Sequence, residues 1–138
     1  MGNTSNKQIE IVKEILNHND HKFKSFTLQI TGLGLFYHDK KPSVIWAGIA
    51  ENEELRNMFS IIEKQLLVKD FKLESRSFKP HITMGKIKYT EPGNTLKNTI
   101  KNYENTYFQD TAIDELYFYE SILHAQGALY VPLSVIKF

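Results

Sequence analysis

The side chains best suited to acid–base chemistry are a histidine and a threonine that stand two positions apart, His81 and Thr83. In a β-strand alternate residues point to one face, so the imidazole and the hydroxyl would lie side by side while Ile82 points to the opposite layer. An imidazole can move a proton near neutral pH, and a hydroxyl can donate a hydrogen bond to a phosphate oxygen. A His-x-Thr triplet also occurs by chance in many proteins, and on its own it favours an ordinary half-buried histidine on a strand.

Three further side chains are candidates for contacting a phosphate or a nucleotide. Arg76 carries a planar guanidinium that suits a phosphate, with a solvated surface arginine as an equal alternative. Lys86 stands an odd number of residues beyond His81, so a regular strand would point the lysine to the opposite face. Tyr119 lies in a strand-like segment near the C-terminus, where a packed hairpin tyrosine is the stronger alternative. These three residues are therefore weaker candidates than His81 and Thr83.

Residues 18–21, with the sequence His-Asn-Asp-His, offer donor atoms that a metal ion could use. Their spacing places no third protein ligand beside them, as a zinc site would need. A polar helix end is the better interpretation of this cluster. The sequence accordingly predicts neither a metal site nor a cofactor.

The composition favours one ordinary globular domain over residues 1–138. The chain has 138 residues, of which 41% are hydrophobic, and this is enough for one core but not for two independent domains. Seventeen basic and sixteen acidic residues give a net charge of +1, so no overall field would attract a polyanion. Any phosphate site must therefore be local.

Residue usage also bears on location. The chain has no cysteine, which excludes disulfides, thiol catalysis and thiolate metal sites within it. No run approaches the roughly 18 apolar residues of a membrane span, and the polar start of the chain lacks the apolar region of a signal peptide. We expect a cytoplasmic protein with no membrane contact.

Three segments have the pattern of helices. Thr4 or Ser5 can cap a first helix that ends near Asn17, and Thr95 to Tyr103 predicts a short one. The first helix and the longest one, from Glu53 to about Leu67, each carry an apolar stripe at helical spacing. These stripes are Ile9, Val12, Ile15 and Leu16 in the first helix, and Leu55, Met58, Phe59, Ile62 and Leu66 in the long one.

The strands are predicted between these helices and after them. Residues 26–37 predict a strand pair or one bent strand, because Gly32 and Gly34 interrupt the alternation. Residues 40–42 should break the chain before an apolar run at 44–49 that is typical of a central strand. Trp46 lies in this run and is expected in the core, with stacking on a base as the alternative. Residues 107–138 predict two or three more strands, with a turn at 126–127. The resulting fold class is α+β, with antiparallel sheets flanked by helices.

The context of the triplet changes its interpretation. Residues 76–86 read RSFKPHITMGK, and this segment resembles the second histidine motif of the 2′-5′ RNA ligase / RNA 2′,3′-cyclic phosphodiesterase family, within the two-histidine (2H) phosphoesterases. The resemblance extends over nearly the whole chain. Its other parts are the TGLG within residues 26–36, the VIWAGI of residues 44–49 with the helix after it, and the LYFYES of residues 116–121 followed by Gly127 and Tyr130.

The resemblance implies a bilobal fold and a mechanism. Members of the family carry two His-x-Thr/Ser motifs, one from each lobe, that face each other across a cleft and need no metal. One histidine activates water while the other protonates the leaving ribose oxygen of a 2′,3′-cyclic phosphate. By this resemblance His81 fills one of the two roles, and Thr83 donates to a nonbridging phosphate oxygen. The implied partner is RNA or a nucleotide with a 2′,3′-cyclic phosphate or a 2′-5′ linkage.

The chain departs from the family pattern at its first motif. His18, His21, His38 and His124 are not followed two positions later by Ser or Thr, so His81 alone stands in a His-x-Thr/Ser triplet. The strand that should precede the first helix is also absent from the sequence, and we expect the domain to be N-terminally incomplete. The unpaired strand edges left by such a gap would favour self-association.

Three explanations of this departure stay open. In the first, the sequence is part of a longer natural protein. In the second, the short form is a degenerate relative that binds without cleaving, and in the third a partner chain supplies the strand. Under each of them we expect this chain alone to be impaired in turnover. The alternative function is that of a noncatalytic nucleotide- or RNA-binding relative, and an unrelated α+β domain with a chance triplet is the third interpretation.

Overall fold

The computed structural model describes residues 4–73, 77–88, 95–125 and 127–138 of the chain. Helices alternate with antiparallel strands, which confirms the predicted α+β class. A short 3₁₀ turn, Asp20–Lys22, follows the first helix. The remaining elements are α1 (Asn6–Asn19), β1 (Phe26–His38), β2 (Lys41–Ile49), α2 (Glu53–Val68), β3 (His81–Lys86), α3 (Thr95–Asn102), β4 (Tyr107–Ile113), β5 (Glu115–His124) and β6 (Gly127–Lys137).

The chain divides into two compact units. Unit 1 takes the described residues of 1–26, 53–75 and 113–138, and unit 2 takes those of 27–52 and 76–112. Unit 1 therefore contains α1, α2 and the β5–β6 hairpin. Unit 2 contains the remaining helix, α3, and a four-stranded sheet in the order β3-β2-β1-β4.

Helix α1 of unit 1 begins where the sequence predicts it. The Ser5 hydroxyl accepts a hydrogen bond from the Gln8 backbone N–H, and the Gln8 side chain accepts one from the Ser5 N–H at 2.9 Å. This reciprocal pair satisfies two backbone donors that the first turn leaves without helical partners. The helix runs two residues beyond the predicted end, and its last residue, Asn19, is buried with its side-chain amide donating to the Ile15 carbonyl at 2.7 Å.

The core of unit 1 lies between the two helices and one face of the β5–β6 hairpin. Strand β5 contributes Leu116 and Phe118 to that face, and β6 contributes Ile136. The opposite face of the hairpin is exposed. The buried core residues are Val12, Ile15, Leu16, Phe23, Met58, Leu66, Phe71 and Ile136, with the partly buried Phe26 and Phe138 packed against them.

In the unit 2 sheet, β2 pairs with β3 on one side and β1 on the other, which confirms the predicted central strand. Strand β1 is continuous but bent at Gly32, whose φ is +71°. The chain turns one residue before the expected break at residues 40–42. The turn is made by Asp39 and Lys40, both with positive φ, and Pro42 lies inside β2 opposite Tyr37, at a shift in the strand register.

None of the helices in the described parts of the chain combines the length and the apolar composition that a bilayer crossing requires.

Candidate active site

The candidate site is built on β3, at the edge of the unit 2 sheet. His81 pairs with Gly48 and Thr83 pairs with Trp46, and paired residues of antiparallel strands point to the same face. The imidazole and the hydroxyl therefore share the sheet face that carries Trp46, and both residues are exposed. Between them, Ile82 pairs with Ala47 on the other face, where Ala47 is only 3% exposed. The structure thus places His81 and Thr83 side by side, in the arrangement that their spacing suggests.

One contact fixes which nitrogen of His81 is available for proton transfer. The Nδ1 atom lies 2.8 Å from the Lys79 carbonyl oxygen. A carbonyl oxygen can only accept, so Nδ1 must carry the hydrogen and donate it. In the neutral imidazole Nε2 is then the unprotonated nitrogen, and in the imidazolium it becomes a donor. The backbone contact therefore leaves Nε2 as the ring nitrogen that is available for proton exchange.

Two aromatic rings pack against the His81 imidazole. The Phe36 ring lies 4.8 Å from it, centroid to centroid, at an interplanar angle of 86°, and the Trp46 indole lies 6.4 Å away at 63°. Phe36 and Trp46 also contact each other, with 5.5 Å between their ring centroids. Packing against these two rings restricts the orientations that the imidazole can adopt.

Gly34 makes room for this arrangement. It pairs with Trp46 across β1 and β2, and a Cβ placed on Gly34 would lie 2.0 Å from the indole Cζ2 atom. The indole thus occupies the place of a side chain at position 34. Sequence patterns predict a turn role for Gly34 and a core position for Trp46. The sequence pattern around Gly34 and Phe36 did not predict that either residue lies near His81.

Lys86 lies on the same face as His81, and the expectation that it points away is wrong. Thr83 pairs with Trp46 and Gly85 pairs with Ile45, so Met84 is an extra residue in β3 without a partner in β2. This bulge offsets the alternation by one position. Lys86 then pairs with Val44, which lies two residues from Trp46 and so shares its face.

The other two candidates are Tyr119 and Arg76. Tyr119 belongs to unit 1, where its ring stacks on Tyr117 at 5.5 Å and meets Tyr130 edge-on at 6.3 Å. It is 47% exposed, so it is not a fully packed hairpin tyrosine. Arg76 lies outside the residues that the structure describes. The structure therefore brings together His81, Thr83 and Lys86, and it places Tyr119 in the other unit.

Three side chains at one end of the β5–β6 hairpin, Glu115, Tyr117 and Lys137, have pKa values that differ from their usual ones. Hydrogen bonds from Lys137, at 2.7 Å, and from the Tyr117 hydroxyl, at 2.5 Å, lower the pKa of the Glu115 carboxyl below its usual value. The same bonds to Glu115 raise the pKa of Tyr117 and that of Lys137. The acid on this face of the hairpin is therefore compensated by a base.

Within the described ranges, no group of three His, Asp or Glu side chains could hold a metal ion. In the His-Asn-Asp-His segment, Asn19 is 1% exposed and bonded to the backbone of its own helix. The His21 Nδ1 atom lies 3.6 Å from the Oδ1 atom of its neighbour Asp20. The segment thus has the contacts of a polar helix end. The donors on the β3 face are one imidazole, one hydroxyl and one ammonium group, a set suited to a phosphate oxygen and a proton.

The family model described as the AKAP7 2′5′ RNA ligase-like domain matches residues 4–138. The chain belongs to this family. The resemblance that residues 76–86 suggested is thereby confirmed, and it covers almost the whole sequence. His81 and Thr83 lie within the matched range.

Several curated relatives of this 2′5′ RNA ligase-like chain are named RNA 2′,3′-cyclic phosphodiesterase. The protein of Methanocaldococcus jannaschii is 31% identical over 121 residues, which cover 88% of this chain and 68% of the relative. That of Archaeoglobus fulgidus is 24% identical over 137 residues, covering 99% and 75%. That of Thermotoga maritima is 27% identical over 140 residues, covering 100% and 72%.

Solved structures show the same fold for this family member. The crystal structure of TT0787 of Thermus thermophilus matches with a TM-score of 0.74 and 18% identity, over 99% of this chain and 73% of that one. The Escherichia coli LigT structure complexed with 3′-AMP matches with a TM-score of 0.65 and 19% identity, over 96% and 69%. At these identities the likeness concerns the fold.

Proposed function

We propose that this chain acts on RNA ends as a 2′,3′-cyclic phosphodiesterase, with His81 as a proton-transfer group and Thr83 as a phosphate ligand. The observation that carries the proposal is the geometry of His81. Its Nδ1–H is committed to the Lys79 carbonyl, its ring is backed by Phe36, and the Thr83 hydroxyl stands on the same face. Family membership and the shared name of the curated relatives support the substrate class.

The reaction requires one bond to form and one to break at phosphorus. A base removes a proton from water as the water oxygen attacks the phosphorus atom. The bond from phosphorus to one ribose oxygen breaks as that oxygen receives a proton from an acid. Nε2 of His81 can serve as the base when neutral or as the acid when protonated, and it fills one of these roles. A positioned acid or base contributes about 10² to 10⁴ in rate.

Charge develops on the nonbridging phosphate oxygens during this step, and donors aimed at them lower the barrier. The Thr83 hydroxyl can donate one hydrogen bond from the face of His81. The Lys86 ammonium group, brought to that face by the bulge at Met84, is a second donor and supplies a full positive charge. Both side chains therefore belong to the proposed phosphate site. Arg76 stays a further candidate from the sequence.

A second candidate function is nucleotide or RNA binding without cleavage. The observation that favours it is the count of motifs, because among the five histidines of the sequence only His81 stands in a His-x-Thr/Ser triplet. If no second group supplies the other proton-transfer role, turnover by this chain alone falls far below that of a two-histidine enzyme. Binding of the nucleotide would then remain.

The test measures hydrolysis and binding separately. Uridine 2′,3′-cyclic phosphate is offered to the wild type, to His81→Ala, to Thr83→Ala and to His124→Ala, an exposed histidine of β5 that serves as the matched control. Turnover that is lost in the two site variants and kept in the control supports the enzyme. Binding of the nucleotide without turnover in any form supports the noncatalytic relative. Turnover that survives His81→Ala unchanged rules out the proposed role of His81.

A further inference from the structure

Unit 2 holds an open groove between β1 and α3, which we call the α3 groove. It is lined on one side by residues 31–35 and Tyr37 of β1, and on the other by Lys97, Asn98 and Lys101 of α3, with Trp46 and Glu104 also contributing. The groove contains no residue that the proposed chemistry uses.

The groove combines an exposed aromatic ring with two cations. Lys97 and Lys101 are four residues apart on α3, so they project from one side of the helix, and both are exposed. The Lys97 ammonium lies 5.9 Å from the centroid of the Tyr37 ring, and Tyr37 is still 48% exposed. Cations for phosphates and an aromatic ring for bases are the two components of grooves that bind single-stranded nucleic acid.

The charge of the chain is unevenly divided in a way that agrees with such a ligand. Residues 27–52 and 76–112, the ranges of unit 2, hold eight Lys and Arg against five Asp and Glu, a net charge of +3. The ranges of unit 1 hold nine against eleven, a net charge of −2. The positive charge thus lies with the unit that carries both His81 and the α3 groove, although the whole chain is nearly neutral.

The α3 groove also adjoins the site at His81. Trp46 lines the groove, and its indole lies 6.4 Å from the His81 imidazole. Phe36, which packs on that imidazole, is the neighbour of Tyr37 in β1. An RNA with a 2′,3′-cyclic phosphate at its end continues only in the 5′ direction. A strand held at His81 therefore extends from the site in one direction, and the adjoining α3 groove is a surface of unit 2 that it can follow.

We propose that the α3 groove binds the single-stranded RNA segment on the 5′ side of the phosphate held at His81. Lys97 and Lys101 contact two phosphates of this segment and Tyr37 stacks on one of its bases. This inference rests on the proposed function for the identity of the ligand. It makes the groove a determinant of preference for an RNA strand over a mononucleotide.

The experiment compares a strand with a mononucleotide. The strand is a fluorescein-labelled oligouridylate of roughly eight nucleotides with a 3′-phosphate, within the size range of single-strand grooves. The mononucleotide is uridine 3′-monophosphate, and neither probe is consumed. Wild type, Lys97→Ala/Lys101→Ala and Tyr37→Leu are compared with Lys7→Ala/Lys64→Ala, which removes two exposed lysines from unit 1.

The expected result is a selective loss of affinity for the strand. Each phosphate contact on a single strand contributes about 0.7 to the slope of log affinity against log salt, so the loss of two lysines should lower the slope by about 1.4. Referred to 1 M salt, this corresponds to about 25-fold weaker binding at 0.1 M salt. Tyr37→Leu should weaken the strand by roughly five-fold or more through lost stacking. The mononucleotide should bind all four proteins alike.

Several outcomes would overturn the inference. Equal effects of the unit 1 control pair and of Lys97→Ala/Lys101→Ala would show a response to net charge alone. If Tyr37→Leu leaves the affinity for the strand unchanged, the α3 groove is a general anion-binding patch. If the variants lose equal affinity for the strand and the mononucleotide, the substitutions have disrupted the His81 site. Failure of the wild type to bind the strand, with cyclic-phosphate turnover intact, overturns this inference alone. Strand binding without turnover overturns the proposed hydrolysis and leaves the groove standing.

Discussion

Gly34→Ala offers the sharpest test of how His81 is held, because the new methyl group enters a space that the Trp46 indole occupies. The added carbon would lie 2.0, 2.4 and 2.5 Å from three indole carbons. Carbon atoms in contact normally stay about 3.5 to 4.0 Å apart, so the indole or the strand must move by roughly 1.5 Å. Since the indole packs on Phe36 and both rings pack on His81, the imidazole should lose its backing.

The magnitude follows from two general effects. Overpacking of this kind costs about 1 to 3 kcal/mol of stability, which should lower the melting temperature by roughly 3 to 12 °C in a chain of this size. Displacement of a reacting group by about 1 Å can lower the rate on the order of 10²-fold. Stability and rate should therefore both fall in this variant.

Gly85→Ala is the matched control, since Gly85 also lies in a strand of the same sheet and a Cβ there meets nothing within 4 Å. The assay combines thermal unfolding with ¹⁵N NMR of His81, in which the wild type should show the hydrogen on Nδ1. The Gly34→Ala spectrum should shift toward the Nε2–H form that a solvated imidazole favours. The double variant Gly34→Ala/Trp46→Leu should recover part of the lost stability, because the obstructing ring is gone. If Gly34→Ala matches Gly85→Ala in stability and in the His81 spectrum, the proposed support of the imidazole by Trp46 is refuted.

Three further predictions concern unit 1. Ser5→Ala removes the hydroxyl that caps α1 beside Gln8, and it should cost about 0.5 to 2 kcal/mol, as read from urea unfolding; an unchanged midpoint would contradict the capping role. Because the pKa of Glu115 is lowered in the folded protein, its contribution to stability is present above the pKa of the unfolded state and is lost as pH falls through the pKa of the folded state, so the melting temperatures of wild type and Glu115→Gln should converge in acid. The pKa of Lys137 is raised, so its contribution to stability is lost at high pH. Leu123 is 85% exposed on β5 and should promote self-association through the hairpin, so we expect the wild type to sediment as a dimer and Leu123→Lys to lower its mass. A wild type that sediments as a monomer refutes this prediction.

The helices and the central strand could be predicted because local patterns determine them. The apolar stripe of α1 is buried at Val12, Ile15 and Leu16, and its cap is a local hydrogen-bond motif that the sequence displays. The apolar run at residues 44–49 predicts a strand with neighbours on both sides, and β2 has them. Each of these features depends on residues that are close together in the chain.

The features that sequence patterns missed depend on pairing between distant segments. The bulge at Met84, which returns Lys86 to the face of His81, arises only from the register of β3 against β2. Pro42 was expected to break the chain, but its place opposite Tyr37 falls at a register shift where a strand tolerates a residue without an N–H. The importance of Gly34 depends on the position of an indole from another strand. That residues 1–138 act as a single domain stays a prediction.

The proposed role of His81 is tested most directly by ³¹P NMR of uridine 2′,3′-cyclic phosphate incubated with the wild type and with His81→Ala. The account predicts that the cyclic phosphate signal is replaced by that of a uridine monophosphate with the wild type, and that the His81→Ala variant reduces this rate by about 10² to 10⁴. Conversion at the same rate by both proteins would contradict the assignment of proton transfer to His81.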